Sequence, residues 1–137
     1  MIPIILCGGY SRRMGEDKGL MQWNGNPMVS TILKTLENHF EIAPKLSIRK
    51  EQEIEYIEKL TKYQFVIDDP HLNIGGPLKG ILSVHKNFPK EDLFLIACDM
   101  PLISNEIIIK IKTAFTENGS KEIIVCKHGH RIEPLCE

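Results

Sequence analysis

The sequence predicts a three-layer α/β domain in which helices cover both faces of a mostly parallel sheet. Two observations predict it. Short apolar runs alternate with segments whose apolar residues recur at helical spacing. The runs also end abruptly in glycine, aspartate or proline. A length of 137 residues bounds the chain to one domain, 1–137.

Taken in order, Ile2–Leu6 is an apolar run closed by Gly8-Gly9, which reads as a buried strand feeding a glycine loop. A polar loop follows to Asn26, and Pro27 suits a first helical position. Met28, Ile32, Leu36 and Phe40 then share one helical face, with Val29 and Leu33 beside them. Residues 44–48 form a second strand. Residues 50–62 are charged, with Ile54, Ile57 and Leu60 on one stripe, so an exposed amphipathic helix is expected. Residues 65–67 form a third strand, stopped by Asp68-Asp69-Pro70. A glycine-rich loop (73–77), a helix (78–87) and a buried strand, Leu93–Ala97, follow, the last broken by Asp99-Met100-Pro101. Ser104 can cap a helix in which Ile108, Ile111 and Phe115 share a face, with Gly119 near its end. Residues 123–126 are the last clear strand.

Composition narrows the partners. Hydrophobic residues make up 42% and charged residues 26%, and the net charge is −1. No global field draws the chain to nucleic acid or to an anionic membrane, so any anion must be captured locally. The apolar start, 1–7, is too short for a signal peptide, and no run approaches transmembrane length. Cys7, Cys98, Cys126 and Cys136 form no C-x-x-C pair. Zinc is therefore not expected, and reduced thiols in a cytoplasm are.

In open α/β sheets, ligands bind outside the carboxyl ends of the strands. The segments after Leu6 and after Ala97, and Asp68-Asp69, all lie at such ends, so three polar clusters should converge on one edge. The richest is the string from Leu6 to Lys18, LCGGYSRRMGEDK. Its glycines let the backbone approach a ligand, and its N–H groups can form an anion nest. Arg12, Arg13 and Lys18 add charge suited to phosphate oxygens. The string is neither G-x-x-x-x-G-K-[ST] nor G-x-G-x-x-G. A bare glycine pair with two arginines would be read as a basic surface turn; the full string after a strand shifts the balance.

This string resembles the signature L-[A/C]-G-G-x-S-x-R-M-G-x-D-K of the molybdenum cofactor guanylyltransferase family, the MobA-like branch of the nucleotidyltransferase fold. The likeness continues through residues 19–28, GLMQWNGNPM, then through Asp69 with Gly76-Pro77-Leu78-Lys79-Gly80-Ile81, and through Ala97-Cys98-Asp99-Met100-Pro101-Leu102-Ile103. Three ordered motifs cover nearly the whole chain.

The resemblance implies a Rossmann-like nucleotidyltransferase fold. It also implies transfer of GMP from GTP to the terminal phosphate of molybdopterin or Mo-molybdopterin, releasing pyrophosphate. Leu6, Cys7, Gly8, Gly9, Lys18, Asp69, Gly76, Pro77, Leu78 and Asp99 are carried over as nucleotide contacts. Arg13, Lys18 and Asp99 are carried over as catalytic, and Asp99 as the ligand of Mg²⁺. The chemistry agrees with these residue types, because nucleotidyl transfer depends mainly on positioning and charge neutralisation. The acceptor phosphate is already an anionic nucleophile and needs no general base. Other cofactor-biosynthesis proteins or apo-molybdoenzymes are implied partners; nucleic acid and membrane are not. Gly8-Gly9 favours a purine, because the family's CTP users tend to carry Ala-Gly there.

Each residue also has a plainer reading. Asp68 and Asp69 precede a proline, as turn residues do. Asp99 alone could cap the next segment. Cys7 and Cys98 suit small core positions better than nucleophiles. Trp23 could pack over the loop or on the core. His71, His85, His128 and His130 show no ligand spacing, and the charges of 50–62 suit a solvated helix face. The chain departs from the family pattern at Cys7, usually Ala, and at Glu16, a negative charge inside the phosphate loop. Arg49 or its neighbours stand where a guanine-contacting Asn is common. Family members also continue beyond Pro134-Leu135, so the resemblance leads us to expect a fragment or a C-terminally shortened domain in which nucleotide binding should survive more readily than transfer. The alternatives are a CTP-dependent molybdopterin cytidylyltransferase, a sugar-phosphate nucleotidyltransferase, and a non-catalytic nucleotide- or cofactor-binding partner domain.

Overall fold

A computed structural model describes residues 1–9, 16–119, 123–128 and 130–133. In chain order the elements are β1 (Ile2–Leu6), β2 (Gln22–Trp23), β3 (Asn26–Pro27), α1 (Met28–Glu37), β4 (Lys45–Ile48) and a 3₁₀ turn (Lys50–Gln52) running into α2 (Glu53–Lys59). Then come β5 (Gln64–Ile67), α3 (Pro77–Asn87), β6 (Leu93–Ala97), α4 (Asn105–Glu117), β7 (Cys126–His128) and β8 (Arg131–Glu133). Among the described residues no helix is long and apolar enough to cross a membrane.

All five residues of β1 are buried, which is what a strand covered on both faces requires. Side chains alternate across it. Ile2, Ile4 and Leu6 join Val66 and Val84, with Ile81 of α3 and Phe88 just beyond it against them. Ile5 and Cys7 turn the other way, toward Val29, Ile32, Leu33 and Leu36 of α1, Tyr56 of α2 and Ile108 of α4. The sheet order is β5-β4-β1-β6 and every pairing in it is parallel. Helices α1, α2 and α4 cover one face and α3 the other, giving the expected three layers.

Three local expectations need correction. Pro27 does not begin a helix; it pairs with Gln22 in a two-residue hairpin, and α1 starts at Met28. Asn24 and Gly25 both hold positive φ, 50° and 78°, as a hairpin turn of the I′ kind demands. The stripe in α2 is not Ile54–Ile57–Leu60. Ile54 is 75% exposed, while Tyr56 is fully buried beside Leu60. A helix this short presents two candidate stripes, and the aromatic one wins because it buries more area. The last strand starts at Cys126, and β7 pairs with β8 in an antiparallel hairpin separate from the main sheet. Elsewhere the expected elements stand. Leu93–Ala97 is β6, and Ser104 caps α4, its Oγ accepting from the Ile107 N–H at 3.3 Å.

Leu36→Ala empties a fully buried position in α1 and is expected to cost about 2–5 kcal/mol of stability. Ile54→Ala, on the exposed face of α2, should stay within about 0.5 kcal/mol. Urea unfolding of both variants checks this; equal losses would put Ile54 back in the core.

Candidate functional site

The chain lays down β1, β4 and β5 outward in one direction, then crosses back to place β6 on the other side of β1. The crossovers containing α1 and α2 pass over one face and the one containing α3 over the other. The β1–β6 boundary is therefore a topological switch point, where helices leave in opposite directions and a crevice opens at the strand carboxyl ends. Leu6 pairs with Ala97 in register, so the segments that follow β1 and β6 start side by side.

Those segments meet. Lys18 Nζ donates to Asp99 Oδ2 at 2.9 Å across 81 residues of sequence. Both side chains stay accessible, 42% and 37% exposed. An ion pair this open contributes about 0–1 kcal/mol to stability, so an incoming charged ligand separates it at little cost. Beside it lies a cavity of about 540 Å³, whose wall includes Met21, Trp23, Met28, Met100, Leu102 and Ile103. Trp23 is thus half-buried at the rim of the site and not in the core.

The loop carrying Lys18 is tied down by its own backbone. The N–H groups of Leu20 and Met21 both donate to the Asp17 carbonyl, at 3.1 and 3.0 Å. Val29 N–H donates to the Gly19 carbonyl at 3.0 Å, and Met28 N–H to the Met21 carbonyl at 2.8 Å. Three side chains not expected at the site lie here. The Tyr56 hydroxyl donates to Asp17 Oδ1 at 2.8 Å, and Gln52 Nε2 donates to Asp17 Oδ2 and, at 3.0 Å, to the Cys7 carbonyl. Gln52 and Tyr56 belong to the charged segment 50–62 read as a solvated face. Its exposed charges fit that reading; these two buried residues do not.

The two aspartates after β5 divide. Asp69 Oδ2 accepts from Lys86 Nζ at 2.6 Å, its Oδ1 accepts from the His71 N–H at 2.8 Å, and its own N–H donates to Ser83 Oγ. The Lys86 hydrogen bond, then the His71 N–H, hold its carboxyl below the usual aspartate value. Asp68 faces the strand-end crevice. A Cβ on Gly8 would sit 3.0 Å from Asp68 Oδ2, and one on Gly80 would sit 2.8 Å from Ser47 Oγ and 3.6 Å from Asp68 Oδ1. Ser47 Oγ donates to Asp68 Oδ1 at 3.4 Å. Burial raises the Asp68 carboxyl, partly offset by Lys79, the Ser47 hydroxyl and Arg49. The carboxylate lying over Gly8 is thus that of Asp68, while Asp69 is bound to α3.

The remaining expected residues fall as follows. Leu6 and Cys7 are buried, so they offer the site backbone, not side chains. Burial, and then Cys98, push the Cys7 thiol up, in keeping with a core cysteine. Gly9 is exposed at the loop's start. Gly76 precedes α3 with φ 68°, Pro77 is its first residue, and Gly76 and Leu78 are exposed at the same end. Arg12 and Arg13 lie outside the described residues, as does Pro134-Leu135. Among the described residues no three His, Cys, Asp or Glu side chains converge to hold an ion by themselves.

Residues 3–136 match the family model of the MobA-like NTP transferase domain. A probable molybdenum cofactor guanylyltransferase of Geobacillus sp. (strain WCH70) is 32% identical over 98% of this chain and 67% of its own. A molybdenum cofactor guanylyltransferase of Shewanella sp. (strain MR-4) is also 32% identical, over 96% and 64%. The chain thus spans about two thirds of the length of these relatives. Among solved structures, molybdopterin-guanine dinucleotide biosynthesis protein A of Archaeoglobus fulgidus superposes with a TM-score of 0.76 at 23% identity, covering 98% of this chain and 65% of that one. Rv0371c of Mycobacterium tuberculosis, in complex with manganese, gives 0.68 at 14% identity, over 97% and 67%.

The neighbouring aspartates should respond to pH with opposite sign. The stability that Asp69 contributes is present above its ordinary value of 3.8 and is lost as pH falls through its lower folded value. Asp69→Asn should therefore be less stable than wild type at neutral pH and converge with it in acid. Asp68 has a raised folded value, so its contribution is full below 3.8 and fades as pH rises through that value. Asp68→Asn should gain on wild type with rising pH. Urea unfolding across about pH 3–7 reads both trends; parallel curves would contradict the assignment.

Proposed function

The chain belongs to the MobA-like NTP transferase domain family, and from that premise we propose that it transfers GMP from GTP to the terminal phosphate of molybdopterin or Mo-molybdopterin. The observation that carries the reading is the 2.9 Å contact between Lys18 Nζ and Asp99 Oδ2. It brings the cation of a phosphate-type loop and the carboxylate of a second strand end to one point of the β1–β6 crevice. The names of the relatives supply the nucleotide and the acceptor.

The acceptor phosphate oxygen attacks the α-phosphorus of GTP, and the bond from that phosphorus to the bridging oxygen breaks. The electron pair leaves with pyrophosphate, and no proton need be removed from the nucleophile. Lys18 releases Asp99 and turns its ammonium to the phosphates, stabilising charge on the α-phosphate and the departing group. The loop N–H groups around Gly8 and Gly9 supply further donors. Arg13 is the second cation in this reading.

The donor set suits a divalent ion that arrives with the nucleotide. Mg²⁺ is commonly held by one or two carboxylates, substrate phosphates and water. Asp99 offers one accessible carboxylate, and no ready-made cage exists among the described residues. When bound, the ion neutralises phosphate charge. The cavity beside the pair, with one indole and three thioethers in its wall, suits a flat heterocycle on the acceptor. Gly8-Gly9, in place of the Ala-Gly that the family's CTP users tend to carry, favours a purine, and the names of the relatives favour guanine. The free thiols of Cys7, Cys98 and Cys126 fit a cytoplasmic site of action.

Calorimetric titration with GTP, CTP and ATP in the presence of Mg²⁺ tests the proposal. GTP should bind in preference. Lys18→Ala and Asp99→Ala should each weaken it by about tenfold or more, and Asp99→Ala should also abolish the difference between titrations with and without Mg²⁺. A folded chain that binds no nucleotide would overturn the proposal, and a preference for CTP would reassign the donor.

A further inference from the structure

Asp17, Gln52 and Tyr56 form a polar cluster under the phosphate loop that none of the steps above uses. Tyr56 is fully buried, its ring edge-on to Phe65 with centroids 6.4 Å apart. Gln52 is 6% exposed. The Asp17 carboxylate accepts from three groups: the Tyr56 hydroxyl at 2.8 Å, the Gly19 N–H at 2.9 Å and Gln52 Nε2. Gln52 spends its whole amide here. Its Nε2 also reaches the Cys7 carbonyl at the end of β1, and its Oε1 accepts from the Arg49 N–H just after β4 at 2.7 Å. One side chain thereby joins two strand ends to the loop.

Gly19 records how closely these groups fit. A Cβ there would overlap the Tyr56 hydroxyl and lie 3.4 Å from Asp17 Oδ1. The residue between Asp17 and Gly19 is Lys18. Its backbone is therefore clamped on both sides, while its side chain reaches out to Asp99. Burial, then the neighbouring Cys7 and Asp17, hold the Tyr56 phenol far above its usual value, so it is a protonated donor at any working pH.

We infer that Tyr56 and Gln52 are positioning residues for Lys18: by clamping the Asp17 carboxylate from the core, they fix the backbone from which Lys18 meets phosphate. The inference rests on the reading of Lys18 as a phosphate ligand, and it goes beyond that reading by assigning a role to three residues that none of the transfer steps uses. A charged acceptor holding three donors is a strong anchor, since hydrogen bonds to ions are roughly twice as strong as neutral ones. It spares the loop the entropy of ordering when ligand arrives.

The test uses Tyr56→Phe, which keeps the ring in the core, and Asp17→Asn, which removes the charged acceptor without touching the core. Amide hydrogen exchange is read by NMR, and binding of Mg·GTP and of guanosine is read on the same folded proteins. Both variants should speed exchange at Gly19 about tenfold while leaving the amides of Ile4 and Ile5 unchanged. Both should weaken GTP about tenfold, leave guanosine unchanged, and lose their effect on GTP in a Lys18→Ala background. Unchanged exchange at Gly19 would overturn the inference. So would equal losses for GTP and guanosine, or an undiminished loss without Lys18. If the wild-type chain binds no GTP, the proposed function falls and so does the role assigned to the clamp. A wild type that binds GTP beside variants that bind it equally well would remove the clamp alone.

Discussion

The parallel pairing of β1 with β6 is the constraint on which the rest of the structure depends. Those strands are separated in sequence by every element from β2 to α3, and nothing local holds them together. Their five-residue register, from Ile2 opposite Leu93 to Leu6 opposite Ala97, is set by burial on both faces. A slip of one residue would reverse the side chains on every face. Because the register ends on Leu6 and Ala97, the glycine loop and the Asp99 turn leave the sheet at the same height. The Lys18–Asp99 contact follows from that, and it is too exposed to be a cause of the fold.

Charge at the site is handled in two ways. Lys18 and Asp99 face solvent, where separating them is cheap. Asp17 is held from inside, where its carboxylate is satisfied by three donors, and a buried polar group without partners would be costly. A site of this kind has rigid support beneath mobile charge. The same division appears after β5, where Asp69 is bound to Lys86 and Ser83 of α3 while Asp68 stays at the crevice. Gly8 and Gly80 are the positions that let this carboxylate and Ser47 come so close to the backbone.

Much of this was legible in the sequence, and the losses have physical causes. Ile2–Leu6 was readable because a doubly covered strand is apolar at every position, and Leu93–Ala97 because it too is an unbroken apolar run. Ser104 was readable because an N-cap is a local hydrogen bond. The Asn24-Gly25 hairpin was equally local and was missed: the dipeptide is a strong turn signal, but Pro27 drew the helix start forward by one residue. The face of α2 was misassigned because three isoleucine and leucine positions outnumber one tyrosine in a periodicity argument, whereas burial follows area. The resemblance singled out Asp69 over Asp68, whereas what separates the two in the structure is Lys86, seventeen residues from Asp69. Gln52 and Tyr56 were hidden inside a charged segment, and their partner Asp17 lies 35 and 39 residues distant. The motif did carry one hint, because Asp17 sits beside Lys18 within the signature string.

In the proposed transfer, Lys18 and Asp99 meet for their opposite tasks on a metal-bound triphosphate, and not for the attraction between them. Exchanging the charges, Lys18→Asp together with Asp99→Lys in one chain, separates these ideas most directly. The exchange preserves an ion pair across the β1–β6 crevice, so unfolding free energy should stay within about 1 kcal/mol of wild type. With the two tasks exchanged, the folded protein should no longer bind Mg·GTP. Binding at wild-type affinity would contradict those tasks and reduce the pair to an exposed salt bridge.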